Sequence, residues 1–464
     1  MNRRTWPLLM VLSWLTPTLA MAAPIELTLD TTRKHQTFES WGATALVVGI
    51  PFTEWLKDPT LATYDRLGVN ANLPHKLLGR LYDELVFDLN TTRYRLEIGP
   101  QVEPENDNAD PKVTDAKAYH FLWQDHLVDT CILPLKQRVE AAGERLSIYV
   151  SYDLRSRLTP DFLLRPEEYA EMAEAFLTHL KTKYKLEPDY WSILNEPGNN
   201  RPGNPKLYAE LTAATGARLA KAGFKTKMSG PEAVNISTIP AYVAALQNTP
   251  GALDHFGQLT YHLYHGGADK VDERHAVRDA AKRLNVTAAQ TEWMEQKDIN
   301  VARHCLLCLT EADAVTWERY GLPNLFDLKN VPLNDPKSDA QEVRKNSTGW
   351  HMWQFMHFIR AGFVRVDLAG SVETPAVAFV SPAGKCVLVL LNSGKDDQAV
   401  SVAGLPADQY RLWQTCVNLK RFGEPLKPMD LQKNQKLELP LPAGSVTTIT
   451  TEPPPNRPAA AAAK

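Results

Sequence analysis

Cysteine is scarce in this sequence, which has five cysteines in 464 residues. Five is too few for a scaffold built on disulfides, and the number is odd. Cys386 and Cys416 both fall in a strand-rich C-terminal region and could pair in an oxidising compartment. Cys305 and Cys308 lie in a predicted helix. Small buried side chains or a local disulfide are favoured there, because a zinc site would need further ligands.

Long runs of positive charge are also absent. The chain has 51 Lys and Arg against 54 Asp and Glu, a formal net charge of −3, and no basic run is long enough to follow a phosphate backbone. Nucleic acid is therefore not expected as a partner. Hydrophobic residues make up 44% and charged residues 23%, which is ordinary for a soluble globular protein of two or three domains, or of one large barrel with a satellite.

Only one long apolar run occurs, and it lies at the N-terminus. Arg3 and Arg4 precede the mostly apolar residues 6–19, and Ala20–Ala22 provides a small-residue cleavage pattern. The run is shorter than the about 20 residues that a membrane-spanning helix needs. We therefore expect residues 1–23 to be a signal peptide rather than an anchor. The protein should be exported, periplasmic or secreted, with no stable membrane insertion after the signal is removed.

From Val86 to about Arg360, short apolar segments alternate with amphipathic ones, which predicts a parallel α/β fold. Eight strand–helix units favour a closed (β/α)₈ TIM barrel over an open sheet. The predicted strands are Phe38–Ala45, Thr92–Ile98, Leu146–Tyr152, Tyr190–Asn195, Thr226–Pro231, Leu259–Tyr264, Thr287–Glu292 and Ala314–Glu318. The helices predicted between and after them include Tyr119–Ala142, Pro166–Lys183, Pro205–Ala222 and Thr348–Arg360.

After about Gly362 the pattern changes to short alternating segments joined by turn residues, which predicts an antiparallel β-sandwich. The strand-like segment Ile25–Thr31 is expected to pair with this sandwich. The predicted domains are an N-terminal strand region at 24–37, the barrel at 38–361, the sandwich at 362–452 and a disordered Pro/Ala-rich tail at 453–464. The predicted sandwich strands are Ala376–Val380, Cys386–Asn392, Ala399–Val402, Gln409–Thr415 and Ser445–Thr450.

The segment 191–198 (WSILNEPG) ends an apolar strand abruptly in Asn195, Glu196 and Pro197. The carboxyl ends of barrel strands form the active-site face, where a partly desolvated carboxyl group becomes a usable proton donor. Asn195 is placed to hydrogen-bond a sugar hydroxyl. The alternative is a solvent-exposed glutamate in a turn.

A second glutamate, Glu292, ends the predicted strand Thr287–Glu292. It follows the seventh strand and Glu196 the fourth, so the two carboxylates can converge on one ligand. Glycoside hydrolysis needs two carboxylates about one bond, roughly 5–5.5 Å apart for retention and more for inversion. Each glutamate alone would more often be a surface residue, but the pair in this order predicts a glycosidase site.

The chain resembles glycoside hydrolase family 30, in the clan of retaining (β/α)₈-barrel glycosidases. The resemblance covers nearly the whole mature chain and implies a barrel with an attached β-sandwich, Glu196 as acid/base and Glu292 as nucleophile. The segments that resemble the family are Gln36–Ala43, Arg95–Gly99, Asn195–Pro197, His262–Tyr264, Thr291–Trp293, Trp317 and Phe358–Gly362.

Other site residues are assigned by physical role. Arg95 near Glu292 would keep that carboxylate ionised, and Tyr264 or His262 would donate hydrogen bonds to it. The alternative for His262 is a core histidine with its hydrogen bonds satisfied.

Aromatic side chains are candidates to stack on sugar rings, and for each the alternative is ordinary packing. The candidates are Trp317, Trp41, Trp293 and Tyr152.

Two charged groups have weaker interpretations. Arg155 and Arg157 would recognise an acidic sugar, although an exposed charged loop explains them more simply. His255, His262 and His265 match no zinc template, so no metal and no cofactor is expected.

The predicted reaction forms a covalent glycosyl–enzyme on Glu292 while Glu196 protonates the leaving oxygen and then activates water. The expected partner is a carbohydrate, and the family resemblance allows β-glucan, β-galactan, β-xylan, β-fucoside or glucosylceramide-type substrates. The alternatives are a non-catalytic carbohydrate-binding barrel, a transglycosylase using the same pair and a metal-dependent hydrolase. The sequence leaves the sugar, the linkage, endo or exo action and the oligomeric state open.

Overall fold

The computed structural model describes residues 24–44, 75–99, 102–152, 161–198, 203–320, 322–327, 343–370 and 375–453. The predicted signal peptide, Arg155, Arg157 and the tail from residue 454 lie outside these ranges. Among the residues inside them, no helix is both long and apolar enough to cross a membrane.

Eight parallel strands close into a barrel in chain order, and the last pairs with the first. This confirms the predicted (β/α)₈ architecture. The first strand of the chain, β1 (Ile25–Thr37), belongs to the other domain. The barrel strands are β2 (Ser40–Thr44), β3 (Thr91–Ile98), β4 (Ser147–Tyr152), β5 (Tyr190–Ser192), β6 (Lys227–Ala233), β7 (Phe256–His262), β8 (Thr287–Glu292) and β9 (Ala314–Arg319).

Helices follow the barrel strands and form the outer layer. Several continue into a π-helical turn, as where Val128–Ile132 joins α2 to α3 and Leu180–Tyr184 extends α4. The helices are α1 (His75–Asp83), α2 (Leu122–Leu127), α3 (Leu133–Ala141), α4 (Pro166–His179), α5 (Pro205–Lys221), α6 (Ile239–Asn248), α7 (Val271–Leu284), α8 (Ile299–Glu311) and α9 (Ser347–Met356).

Local chemistry explains where these helices begin. Asn204 precedes α5, and its side-chain oxygen accepts hydrogen bonds from the backbone N–H groups of Lys206 and Leu207. Pro205 follows at the first helical position, where its missing N–H costs nothing. In α4, Tyr169, Met172 and Phe176 recur at helical spacing and are buried in the core.

The second domain is a nine-stranded sheet that combines β1 with the C-terminal strands. Its pairs are antiparallel except for β1 with β15. Leu27, Val400 and Leu437 from one end of the sheet share an apolar core with Leu388 and Ile449 from the other half, so the sheet curls over itself as a sandwich. The strands are β12 (Val364–Ala369), β13 (Ala376–Val380), β14 (Cys386–Asn392), β15 (Gln398–Ala403), β16 (Asp408–Cys416), β17 (Arg421–Leu431), β18 (Leu437–Leu441) and β19 (Ser445–Thr450), and the short hairpin β10 (Phe326–Asp327) with β11 (Arg344–Lys345) lies outside this sheet.

The pairing of Cys386 with Cys416, which the sequence left open, is not formed in the structure. Both strands pair with β19, but Val387, next to Cys386, faces Thr450, whereas Cys416 faces Ser445, so the two thiols lie at opposite ends of β19. All five cysteines are free and buried. They serve as small core side chains.

The sandwich is fastened to the barrel by buried polar contacts with α9. The Gln354 side chain donates to Thr415 Oγ1 at 2.9 Å, and Thr448 Oγ1 donates to the Gln354 carbonyl at 2.6 Å. At the start of the barrel, the backbone N–H of Phe38 donates to the carbonyl oxygen of Phe363 at 2.8 Å. This bond fixes the point at which the chain passes from β1 in the sandwich to the first barrel strand.

Gly42 leaves room inside the barrel for the side chain of Glu318. A Cβ atom at Gly42 would lie 2.7 Å from Glu318 Cδ and closer still to its Cγ. Gly42→Ala should therefore displace Glu318 and lower stability by about 1–3 kcal/mol, measured as a lower denaturation midpoint in urea. Gly79→Ala in α1 is the control, because its nearest neighbour is 3.5 Å away and it should lose no stability. Equal midpoints for the two variants would contradict this packing.

Candidate active site

Charged side chains alternate along β3. Arg93, Arg95 and Glu97 are two residues apart, so they share one face of the strand. Arg95 contacts Glu292 on β8, and β8 is not a neighbour of β3 in the barrel. Only the barrel interior can bring those two strands' side chains together, so this charged face points inward.

Glu292 ends β8, as predicted, and is held from two sides. Arg95 Nη1 donates a short hydrogen bond to Glu292 Oε2, and Tyr264 Oη donates to Glu292 Oε1 at 3.0 Å. Arg95 Nη2 also lies 3.3 Å from Glu97. The guanidinium and the phenol together stabilise negative charge on Glu292.

Glu196 follows β5, the fourth strand of the barrel, in a left-handed backbone conformation with φ of 50°. Its backbone N–H donates to the carbonyl oxygen of Glu232 at 3.2 Å. His262 Nδ1 lies 3.1 Å from Glu196 Oε1. The side chain is therefore oriented by a strained backbone, a backbone hydrogen bond and an imidazole.

The two predicted carboxylates converge. One side-chain oxygen of Glu196, one of Glu292 and a ring nitrogen of His262 all lie within 4.8 Å of one another. One oxygen of each carboxyl group therefore lies close enough to the other for both groups to contact a single ligand.

His262 is fully buried among carboxylates. Burial lowers its pKa, but the charge of Glu292 and hydrogen bonds with Glu196 and Glu232 outweigh burial and raise the pKa to about 9. The ring therefore carries a positive charge at neutral pH. Burial and the Glu292 charge also raise the pKa of Tyr264, which keeps its hydroxyl protonated as a donor.

Glu232 is an important residue that sequence reasoning missed. Its Oε2 accepts a hydrogen bond of 2.6 Å from Ser151 Oγ, and its Oε1 lies 3.7 Å from His262 Nε2. Because its carbonyl also accepts from Glu196, Glu232 supports that residue through both the backbone and His262. The signal in the sequence was Glu232 itself, a charged residue near the end of β6, a strand that is buried after Lys227.

Glu318 was also missed, on the inward face of β9. Its Oε1 lies 2.7 Å from Arg93 Nε, and both side chains are buried. Burial raises the pKa of Glu318 to about 7, while the charges of Arg93 and Arg95 oppose that rise. Arg93 in turn lies over the rings of Tyr149 and Tyr190. These side chains close the barrel beneath Glu196 and Glu292.

Asn195 is buried beside the candidate acid/base. Among the described residues, neither its amide nitrogen nor its amide oxygen has a hydrogen-bond partner. Buried amide groups are rarely left unpaired. The side chain is therefore free to bind a polar ligand next to Glu196.

The predicted tryptophans are not brought to this site. Ser40 and Thr316 face each other, and Gly42 adjoins Glu318, so alternation turns Trp41 and Trp317 outward. Trp41 Nε1 donates to the Ile359 carbonyl at 2.7 Å, beyond the end of α9.

Trp293 directly follows the inward-facing Glu292 and packs edge-on against His304 of α8, with ring centroids 4.9 Å apart. Tyr152 likewise packs on Tyr169 of α4 at 5.3 Å. All four aromatic side chains are buried between the strands and the helices.

Two sets of residues include several side chains of the types that bind metals. His255 precedes β7 and His262 ends it, so these two histidines lie at opposite ends of a strand and cannot share an ion. The set Glu196, His262 and Glu292 has metal-ligand spacing, but Arg95 and a charged His262 already supply positive charge there.

Comparison with known proteins adds independent information on the second domain. Residues 362–449 match the family model described as the glycosyl hydrolase family 30 beta sandwich domain. The sandwich domain is therefore similar to that of glycoside hydrolase family 30. The predicted resemblance to glycoside hydrolase family 30 or a close relative is thereby confirmed, and no curated protein sequence matches the chain.

Several solved structures resemble this chain over both of its domains. An endoxylanase of this family from Clostridium papyrosolvens C71 has 15% identity and a TM-score of 0.65, with 92% of this chain and 99% of that chain covered. Xylanase C from Talaromyces cellulolyticus has 14% identity and a TM-score of 0.66, with 92% and 99% covered. A conserved exported protein from Bacteroides fragilis has 15% identity and a TM-score of 0.67, with 91% and 99% covered. At these identities the likeness establishes the fold.

Glu232 should control the protonation of His262. Glu232→Gln removes a negative charge beside the ring, so the pKa of His262 should fall from about 9 toward its ordinary value of 6.5, measured by NMR titration of labelled histidine. Glu97→Gln is the control, because Glu97 contacts Arg95 rather than His262. An unchanged His262 pKa in Glu232→Gln would contradict the coupling.

The same pKa sets a pH window for stability. The folded-state pKa of His262 is raised above its unfolded value, so its stabilising contribution is fully present below about pH 6.5. It should be lost as the pH rises through about 9. Thermal unfolding of the wild type and of Glu232→Gln across this window measures the effect, and it should be weaker in the variant. Identical pH dependence in the two proteins would show that His262 does not cause it.

Proposed function

We propose that the protein is a glycosidase that hydrolyses β-glycosidic bonds in a polysaccharide or oligosaccharide with retention of configuration. The observation that carries the proposal is that one carboxylate oxygen of Glu196 and one of Glu292 lie within 4.8 Å of each other. The two residues stand at the ends of the fourth and seventh barrel strands. The family 30 sandwich supports the same class of enzyme.

Glu292 is the proposed nucleophile. Its contacts with Arg95 and Tyr264 orient the carboxylate and stabilise its charge, so that it can attack the anomeric carbon. The product of this step is a glycosyl ester of Glu292 and a released leaving group.

Glu196 is the proposed acid/base. It gives its proton to the leaving oxygen in the first step, and the charged ring of His262 stabilises the carboxylate that results. In the second step Glu196 removes a proton from water, which attacks the anomeric carbon and frees Glu292.

The electrostatics of the site suit this chemistry. Among the described residues, the carboxyl groups of Glu97, Glu196, Glu232, Glu292 and Glu318 lie near the charges of Arg93, Arg95 and His262. The carboxylate of Glu292 beside the anomeric carbon stabilises the positive charge that develops on the sugar ring in the transition state. The unpaired amide of Asn195 is placed to bind a sugar hydroxyl beside the reacting carbon.

The substrate we propose is a β-linked plant or microbial polysaccharide, with xylan as the first candidate. Two solved structures of this fold are xylanases of family 30. The N-terminal signal pattern supports an exported enzyme that meets such a polymer outside the cytoplasm. A screen of aryl β-glycosides, xylan and β-glucans identifies the sugar.

Loss of either carboxylate should abolish turnover. On the best substrate of that screen, Glu292→Ala should lower kcat by more than about a thousandfold. Glu196→Ala should lower kcat by about 10²–10⁴-fold, and by much less on an activated aryl glycoside whose leaving group needs no proton. Initial-rate kinetics measure both effects.

The matched control is Glu210→Gln, on the exposed face of α5, which should keep full activity. Wild-type rates in Glu292→Ala or Glu196→Ala would rule out the proposed pair. Sugar binding without turnover in the wild type would instead indicate a carbohydrate-binding protein. Elongated oligosaccharides as the main products would indicate a transglycosylase.

Tyr264→Phe isolates one hydrogen bond to the nucleophile. Removing this donor should lower kcat/KM about ten- to a hundredfold, because hydrogen bonds to charged groups are worth about 1.5–3 kcal/mol. Tyr242→Phe is the control, since its hydroxyl donates to the Gly203 carbonyl, at 3.4 Å, and not to Glu292. Equal kinetics for the two variants would show that Tyr264 does not act on Glu292.

A further inference from the structure

We infer that the protein has a second site, separate from the catalytic pair, that binds a divalent cation, with Ca²⁺ as the ion that the donor set fits best. Carboxylate oxygens of Asp107, Glu168 and Glu171 lie within 4.8 Å of one another. Asp107 belongs to the irregular segment 102–121 after β3, and the two glutamates lie in the first turns of α4.

The cluster lies inside the protein, unlike an ordinary acidic surface. Glu168 and Glu171 are 2% and 1% exposed, and their spacing of three residues places them on one face of α4. Glu103, which is 1% exposed, joins them from the segment 102–121, and the charges that act on it are those of Asp107, Glu171 and Glu168. Glu103 thus lies close enough to feel the charges of the three carboxyl groups that form the cluster.

An unpaired hydroxyl group independently indicates a ligand there. Tyr119 is 6% exposed, and its hydroxyl has no hydrogen-bond partner among the described residues. The carboxyl groups whose charges act on this hydroxyl are Glu103, Glu171 and Asp107, with Arg218 acting in the opposite sense, so the hydroxyl faces the carboxylate cluster. A buried hydroxyl is seldom left without a partner, and a cation bound by these oxygens, or water on that cation, would provide one.

The neighbouring arginines do not neutralise the cluster. Arg218 Nε pairs with Glu174 at 2.5 Å and only its Nη2 approaches Glu171, at 3.8 Å. Arg165 Nη2 lies 3.2 Å from Glu168, but more than half of that arginine side chain is exposed to solvent. The two arginines thus compensate the cluster only in part, and carboxylates this close repel one another unless they bind protons or a cation.

The donor set favours Ca²⁺ over other ions. All donors are oxygens, which excludes the nitrogen and sulfur preferences of zinc and copper. Ca²⁺ accepts six to eight oxygens in flexible geometry, whereas Mg²⁺ demands a near-ideal octahedron and keeps several waters. A segment without regular structure facing one helical turn suits the more adaptable ion.

The bound cation would fasten the segment after β3 to the start of α4, two elements that lead away from the carboxyl ends of neighbouring barrel strands.

The test uses the full chain, stripped with EDTA and titrated calorimetrically with CaCl₂ or MgCl₂ at pH 8. We expect one Ca²⁺ per chain, weaker binding of Mg²⁺, and a Ca²⁺-dependent rise in Tm of at least about 2 °C. Glu168→Gln/Glu171→Gln should lose the Ca²⁺ response, and Asp107→Asn should weaken it at least tenfold. Glu174→Gln, on the same helix, should keep it.

Absence of Ca²⁺ binding by the stripped wild type would overturn the site. Unchanged Ca²⁺ affinity in both Glu168→Gln/Glu171→Gln and Asp107→Asn would also overturn it, because the ion would then bind elsewhere. Equal affinity for Mg²⁺ and Ca²⁺ would contradict the assignment of the ion. None of these outcomes depends on the proposed glycosidase activity, since binding and unfolding are measured without a sugar.

Discussion

The contact between Arg95 and Glu292 crosses the barrel from its second strand to its seventh, and the candidate site is organised around it. A buried charge is costly unless it is paired and hydrogen-bonded. Arg95 pairs with Glu292 and so meets this condition. His262, whose raised pKa keeps its ring protonated, is a second cation and lies beside Glu196. With these cations in place, several carboxylates can stay close together inside the barrel, which is the condition that glycoside hydrolysis imposes.

Glu232 extends this arrangement to the backbone. Both Glu196 and Glu232 adopt left-handed conformations, which non-glycine residues seldom take and which cluster at functional sites. The Glu232 carbonyl accepts from the Glu196 N–H, and its side chain approaches the far nitrogen of His262. A residue outside the catalytic pair thus sets both the position of Glu196 and the charge of its neighbour.

Much of this arrangement could be predicted from the sequence, because parallel strands bury continuous apolar segments. The predicted Thr287–Glu292 and Cys386–Asn392 have the observed bounds. Strand β17 was missed because it is exposed and contains Pro425 and Pro428, which only an edge strand tolerates. The tryptophan assignments failed for a different reason: Trp293 follows the inward-facing Glu292, so alternation turns it outward. Glu232 was not connected to His262, because the predicted strand Thr226–Pro231 ends before Glu232, whereas β6 continues to Ala233 beside β7.

The central claim is that Glu196 and Glu292 act on one glycosidic bond at a separation that permits a covalent intermediate. The most direct measurement is the configuration of the first product, followed by proton NMR before mutarotation equilibrates the anomers. The enzyme should release the β-anomer first from a β-glycoside, because two successive inversions restore the original configuration. Initial release of the α-anomer would contradict it, since a single displacement by water would then be the reaction.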